Sequence, residues 1–257
     1  MPDTHETIVV VGGAGGIGSA TVRKYASLKK HVIIGDINED AAKSLLNELG
    51  QGVDFFPVDM LDYDSIIEFT NTIKDSFGTV SHLISLAGGA LPEESINIGI
   101  EGTGAECLSK SIDLNLKSHI YIIKESLPLI RKDQSPNRSI TLISSISALK
   151  GVGQPAYSAA KAGLLGLVNG TIGELGKYNI RINAVLPGSV LTERCEGIIK
   201  EHIESIKKYS ALGRLTTPDE IANTIYAVTH LMTSMTGQYV IADCGQSKTY
   251  QFLVNSG

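Results

Sequence analysis

Tyr157 and Lys161 stand four residues apart in the segment PAYSAAKAGLLGL. Four residues make about one helical turn, so both side chains project from the same face. A phenol beside an ammonium group is one way to make a proton donor and acceptor that works near neutral pH. Free tyrosine titrates near ~10. A positive charge at about 4 Å, at an effective dielectric of about 20, is worth roughly 4 kcal/mol. That lowers the phenol by about three units, into the range useful for general acid–base catalysis. The spacing alone equally describes a solvated helix face, so the rest of the chain must decide between the two.

Such a pair needs a rigid helix and a sheet edge to aim it. Short β-branched apolar runs lie at Thr7–Val11, His31–Gly35, Val53–Val58, Val80–Leu86, Ser139–Ser144, Ile180–Leu186 and Gln238–Ala242. Helical patterns fill the gaps at Gly16–Leu28, Glu39–Leu49, Tyr63–Phe77, Glu106–Ile130, Pro155–Tyr178 and Pro218–Met232. Near-continuous apolar strands suggest burial on both faces. The βαβα order predicts an α/β protein: a doubly wound, mainly parallel sheet of about seven strands with helices on both faces. No linker, repeat or low-complexity tract interrupts the chain, so residues 1–257 are expected to form a single dinucleotide-binding domain. Gly88–Gly104 and Leu191–Arg214 break the rhythm after strand ends, where open α/β sheets bind ligands. The second, at about 190–214, is the expected substrate lid.

After the first strand comes GGAGGIG, Gly12 to Gly18. It fits both Gly13-x-Gly15-x-x-Gly18 and Gly12-x-x-x-Gly16-x-Gly18. Glycines let the backbone approach a pyrophosphate, and a helix starting near Gly16 would point N–H groups at it. A plain glycine turn is the bland alternative, but a strand before and a helix after are the context a nucleotide loop requires. Asp36, at the end of the second strand, can accept hydrogen bonds from the adenine-ribose hydroxyls and would repel a 2′-phosphate. No Arg or Lys follows it closely, which favours NAD over NADP. Asp36 also reads as a residue that starts the next helix. Asp59, after the third strand, suits either the adenine edge or a turn.

Composition narrows the classes further. The chain has 257 residues, 42% hydrophobic content and a net charge of −5, with no tryptophan and no basic run. Nucleic acid and anionic membranes are therefore not expected partners. No apolar run approaches the roughly 20 residues of a membrane span, and no secretory signal is evident at the N-terminus. Cys107, Cys195 and Cys244 are far apart and fit reduced thiols in a cytoplasmic protein. The six histidines form no H-E-x-x-H and no Cys/His cluster, so no metal site is expected.

With loop, acid and Tyr-x-x-x-Lys in this order, the chain resembles the short-chain dehydrogenase/reductase family, of the short, single-domain type, from Thr7 to about Gly245. The resemblance implies a Rossmann fold and an oxidoreductase that exchanges hydride between NAD(H) and a secondary alcohol or ketone. It implies a catalytic set of Asn115 (in IDLNLK), Ser145 (in TLISSIS), Tyr157 and Lys161. It places Gly12, Gly16, Ile17 and Gly18 at the coenzyme phosphates, with Asp36, Asp59 and Met60 on the adenosine side. Ala87, Gly88, Tyr157 and Lys161 belong near the nicotinamide ribose, and Pro187, Gly188, Val190 and Thr192 (in AVLPGSVLT) pass over the nicotinamide. Arg214, Asp219 and Gly237 fit the family's C-terminal region. A homotetramer or homodimer is also implied, through the long central helices and the last strand.

Three departures from the family stand out. Val11 holds the place of a threonine, and Ser85-Leu86-Ala87-Gly88 replaces Asn-Asn-Ala-Gly. Val11 and Leu86 could together substitute packing for a lost polar tie. Ser145 lies one residue closer to Tyr157 than is usual, leaving Ser144 as its rival. A non-catalytic nucleotide sensor on the same fold is the alternative function, since fold does not fix function, but it would not be expected to keep both Tyr157 and Lys161. An extended sugar-nucleotide epimerase would need more chain after Pro187. Substrate identity is not readable from the charged residues Glu193, Arg194, Glu196, Lys200, Glu201, Lys207 and Lys208 of the lid, which read as a solvated face.

Overall fold

The computed structural model describes residues 6–94, 98–151, 154–193 and 203–248. Residues 194–202 of the lid stretch, Cys195 among them, and the YQFLV tail lie outside them. Seven strands form one sheet: β1 (Thr7–Val11), β2 (His31–Asp36), β3 (Val53–Pro57), β4 (His82–Ser85), β5 (Arg138–Ile143), β6 (Ile180–Pro187) and β7 (Tyr239–Ala242). Their order is β3-β2-β1-β4-β5-β6-β7. Every neighbouring pair is parallel, so the expected "mainly parallel" sheet is parallel throughout. The order reverses between β1 and β4, which opens a crevice at the carboxyl ends of those strands.

The period of two along each strand splits the core into two layers. Val9, Val11, Ile33, Leu83, Ile140, Leu142 and Ile182 face one side, packed with Ile66, Phe69, Ile73, Ile122, Leu129, Leu164 and Val168. These come from α3 (Tyr63–Phe77), α6 (Ser118–Lys132) and α7 (Pro155–Gly176). Ile8, Val10, Val32, Ile34, Ile84 and Val185 face the other side, against Val22, Tyr25, Ala42, Leu45, Ile221 and Ile225. Those helical residues belong to α1 (Gly16–Ser27), α2 (Glu39–Leu49) and α9 (Pro218–Tyr226). Helix starts are chemically fixed: Asn38 accepts from Ala41 N at 3.1 Å, and Thr217 and Glu220 form a capping box at the start of α9. Among the described residues no helix is long and apolar enough to cross a membrane, and Cys107 and Cys244 are free thiols.

Three expectations fail, one of them the helix over Pro218–Met232, which is α9 to Tyr226 followed by a π-helical segment over Ala227–Leu231. The single helix expected over Glu106–Ile130 is three pieces: α5 (Ala105–Ile112), a π-helical segment over Asp113–Lys117, and α6. A π-helical turn accommodates an extra residue and is frequent at functional sites. The turn here is centred on Asn115, whose amide Nδ2 donates to Ser111 O at 3.0 Å. Thirdly, Val11 and Leu86 do not replace a polar tie by packing together. Val11 packs into the first core layer and Leu86 against the second, so the sheet lies between them. Leu86 N donates to Val11 O at 2.8 Å, a backbone link only.

The end of β4 is tied down by another pair. His119, in α6, is fully buried; its Nδ1 lies 2.7 Å from Ser85 Oγ and its Nε2 lies 3.0 Å from Ala87 O. A carbonyl only accepts, so Nε2 carries the proton and Nδ1 accepts from the serine. Burial, with the nearby Lys161 charge second, holds this imidazole neutral, down to about 3. The unfolded chain binds a proton below about 6.5 that the folded chain refuses. His119 therefore stabilises the fold fully above that value, and its contribution is lost as pH falls toward about 3. His119→Gln is expected to flatten the pH dependence of unfolding free energy between these values by up to about 1.4 kcal/mol per pH unit. Urea melts of both proteins across that range measure it; parallel curves would contradict the assignment.

Candidate active site

The glycine loop sits where β1 ends. Gly12 has φ +79°, a conformation L side chains rarely adopt, and an added Cβ would lie 2.7 Å from Ala87 N. A Cβ on Gly18 would sit 2.0 Å from Gly12 O, and one on Gly16 would sit 2.6 Å from Thr192 Cγ2. The loop is thus closed upon itself, upon the end of β4 and upon the segment after β6. Gly15 caps α1 without a side chain, leaving first-turn N–H groups facing the crevice with Ile17 partly buried beside them. This is a cradle of the shape and polarity a pyrophosphate requires. Asp36 Oδ2 accepts from Ala14 N at 2.9 Å and Oδ1 from Asn38 N at 3.0 Å. Both readings of Asp36 meet here: it buttresses the loop and shapes the start of α2, while its remaining lone pairs stay available to hydroxyls. Asp59 closes a turn by accepting from Leu61 N at 2.8 Å, and the Met60 side chain is buried in the core.

Tyr157 lies in the first turn of α7 and is partly buried; Lys161, one turn on, is 3% exposed. Lys161 Nζ donates to Ile143 O, the last residue of β5, at 2.9 Å and stands 5.8 Å from the Tyr157 ring centroid. The two side chains share a face, as the spacing required. The two serines differ in placement. Ser144 is buried and donates to Lys161 O at 2.7 Å, which spends its hydroxyl on packing β5 against α7. Ser145 is partly buried and opens the short helical turn Ile146–Ala148, its Oγ accepting from Ser147 N at 3.1 Å and donating to Ser147 Oγ at 3.0 Å.

Asn115 is fully buried, with Oδ1 accepting from Gly89 N at 2.7 Å and Nδ2 donating to Gly89 O at 3.2 Å. It holds the chain after β4 as a neighbouring strand would. Gly88 has φ +117°, and a Cβ there would lie 2.5 Å from Asn115 Oδ1. Beyond β6, Pro187 is buried, and a Cβ on Gly188 would lie 2.8 Å from Asp243 Cβ. Gln246 Oε1 accepts from Ser189 N at 2.8 Å, and Val190 pairs with Thr216. The C-terminal segment thereby braces the stretch that ends at Thr192.

Sequence reasoning missed Glu94. It lies in the aperiodic Gly88–Gly104 stretch and is fully buried. Oε1 accepts from Tyr157 N at 2.9 Å and Oε2 from Ser111 Oγ at 2.8 Å. The carboxylate thus caps α7 from a remote loop, where Gln154 makes no side-chain cap, and sets a negative charge at a helix N-terminus. Adjacent Glu93 and Glu94 read alike as surface charge, and no local pattern separates them. Further along the stretch, Ile100 lines an open groove of about 460 Å³ with Leu108, Ile112, Pro155 and Ala156. That groove flanks the start of α7, and neither Ser145, Tyr157 nor Lys161 lines it. Glu94→Ala strands a buried N–H and a buried hydroxyl and is expected to cost roughly 2–4 kcal/mol in urea unfolding. Glu94→Gln, which keeps an acceptor for Tyr157 N, should cost less than half of that. Equal losses in the two variants would remove the capping role.

The sequence model described as Enoyl-(Acyl carrier protein) reductase matches residues 12–247. The chain is 31% identical to 3-oxoacyl-[acyl-carrier-protein] reductase FabG of Chlamydia muridarum, covering 95% of this chain and 98% of that protein. It is 29% identical to a 7alpha-hydroxysteroid dehydrogenase of Bacteroides fragilis, covering 94% of each. A solved oxidoreductase of the short chain dehydrogenase/reductase family from Burkholderia thailandensis superposes with a TM-score of 0.86 at 26% identity, over 97% of this chain and 96% of that one. Loop, sheet order and matches agree: the chain belongs to the short-chain dehydrogenase/reductase family, oxidoreductases that move hydride between a nicotinamide coenzyme and a CH–OH or carbonyl group.

Proposed function

We infer that this protein is an NAD-dependent dehydrogenase/reductase acting on a secondary alcohol or its ketone, as one domain with a lid at about 190–214. The observation that carries this reading is the buried Lys161 ammonium beneath the Tyr157 ring, on a helix anchored to the end of β5. When bound, the coenzyme supplies or accepts the hydride. The chain's own residues handle the proton and the position of the substrate oxygen. In oxidation the Tyr157 phenolate takes the hydroxyl proton; in reduction the phenol returns it. Lys161 favours the phenolate by charge and would hydrogen-bond the nicotinamide ribose of a bound coenzyme. Ser145, at the open end of β5, donates to the substrate oxygen as charge develops there. Asn115 fixes Gly89 after β4 and lies in the π-helical segment beside it.

The coenzyme preference rests on Asp36. Its carboxylate stands beside the loop and is followed by exposed Ile37 and by Asn38, so no cation is adjacent in sequence to offset a 2′-phosphate. The substrate class is a small or medium hydroxy compound. The relatives' names span a 3-oxoacyl carrier-protein reductase and a hydroxysteroid dehydrogenase, which fits a constant proton site beneath a variable wall. Assembly as a homotetramer or homodimer is supported by α7, where exposed Gly166 and Gly170 leave the backbone open to approach by a second helix.

A panel of secondary alcohols and ketones, with NAD(H) and NADP(H) in parallel, tests the reading. Turnover is expected with NAD(H) in preference to NADP(H). Tyr157→Phe is expected to keep NADH binding and lose at least ~100-fold in kcat. Near-normal turnover in that variant, or a preference for NADP(H) in the parent, would refute the corresponding part.

A further inference from the structure

A second cluster lies at the opposite edge of the sheet, where strands begin. Glu6 immediately precedes β1, His82 opens β4, and His230 lies in the π-helical segment Ala227–Leu231 after α9. One ligand atom from each falls within 4.8 Å of the others. Glu6 Oε1 is 3.9 Å from His82 Nε2, and Glu6 Oε2 is 3.5 Å from His230 Nε2. The His82 side chain is 0% exposed, that of His230 10%, and that of Glu6 14%. Among the described residues, His82 Nε2 and His230 Nε2 are buried side-chain nitrogens with no hydrogen-bond partner, whereas Glu6 Oε2 is held by Lys30 Nζ at 2.6 Å. Such orphans are rare in folded proteins and call for an explanation.

The far edges of both rings are engaged. His82 Nδ1 is 2.8 Å from Ser139 Oγ, and His230 Nδ1 is 3.3 Å from Tyr25 OH. A hydroxyl can accept an Nδ1–H, which leaves both Nε2 lone pairs aimed at one carboxylate. Two imidazoles so oriented by outer partners, with a carboxylate between them, are the arrangement of a metal site.

We propose that Glu6, His82 and His230 bind a divalent cation of the zinc type, with water completing a four-coordinate shell. Tetrahedral zinc with ligands at 2.0–2.1 Å sets neighbouring ligand atoms about 3.3 Å apart, so the trio needs to contract by no more than roughly 1.5 Å per pair. The competing cation is Lys30, whose Nζ lies 2.6 Å from Glu6 Oε2. Its side chain is 31% exposed on a flexible stem, so it can swing into water when the ion enters. Arg181 also adds positive charge near His82, but its guanidinium is already spent on Val228 O, Thr229 O, Met232 O, Met235 O and Asn137 Oδ1. The ion would join the start of β1, the start of β4 and the end of α9, a structural role remote from the hydride site. No local motif reveals the trio, because its members lie in three distant segments.

The test is zinc titration of the metal-stripped full-length protein by calorimetry and thermal melting, with cobalt(II) absorption as a probe of four-coordinate geometry. One zinc per chain is expected, with melting raised by about 5 °C or more at a hundredfold excess over Kd. Glu6→Gln and His230→Ala should each weaken binding at least ~10-fold, whereas Lys30→Ala, which removes the competitor, should tighten it. Absence of stoichiometric binding in both the parent and Lys30→Ala would overturn the site, leaving a hydrogen-bonded trio. Binding that survives both Glu6→Gln and His230→Ala would overturn it equally, by placing the metal elsewhere.

Discussion

The structure depends on one charge placement: an ammonium buried beneath a phenol, on a helix that is itself pinned. Lys161 is 3% exposed, and a lone buried ammonium is costly. It is tolerable because Nζ donates to Ile143 O, an acceptor at the very end of β5. The same strand end sends the Ser144 hydroxyl to the Lys161 carbonyl, so β5 and α7 are bonded in both directions. Glu94 fixes the start of α7 from the far side. Three contacts thus hold one helical turn, and Tyr157 lies within it.

The chain after β4 is the second fixed point, and here the protein departs from its family. Where the resemblance expected polar side chains at the places of Val11 and Leu86, the sheet has apolar ones on opposite faces. Ser85 and His119 tie this stretch down from β4 and α6. Asn115 completes the tie by pairing with both backbone groups of Gly89. The π-helical segment around Asn115 leaves its amide facing that loop. Loop, helix distortion and glycine loop form one connected body, since an added Cβ on Gly12 would strike Ala87.

Sheet and helices were legible because hydrophobic period is strong in a sheet buried on both faces. Thr7–Val11, Glu39–Leu49 and Tyr63–Phe77 fall where the pattern put them, and other ends differ by a residue or two, except that the helix expected over Pro218–Met232 stops at Tyr226 and passes into a π-helical segment. The break inside Glu106–Ile130 was not legible, because nothing in the local pattern registers a changed helical pitch. In the site, Tyr157 and Lys161 were readable as a spacing on one helix. Ser144 and Ser145 were not separable by counting; in the fold they differ in burial and partner, Ser144 bonding to Lys161 O and Ser145 to Ser147. Glu94 was invisible for a simpler reason: whether a glutamate in an irregular stretch faces water or a helix end is decided by tertiary packing. Glu6, His82 and His230 share that property, since their meeting point exists only in the folded sheet.

The central claim is that the Lys161 charge makes the Tyr157 phenol acidic. A difference titration of phenolate absorbance between the parent and Tyr157→Phe isolates that group from the other eight of the nine tyrosines. The account predicts a Tyr157 ionisation roughly two to three units below ~10, lost when Lys161→Met removes the charge. A Tyr157 that titrates at the ordinary tyrosine value in the parent, or that is indifferent to Lys161→Met, would contradict it.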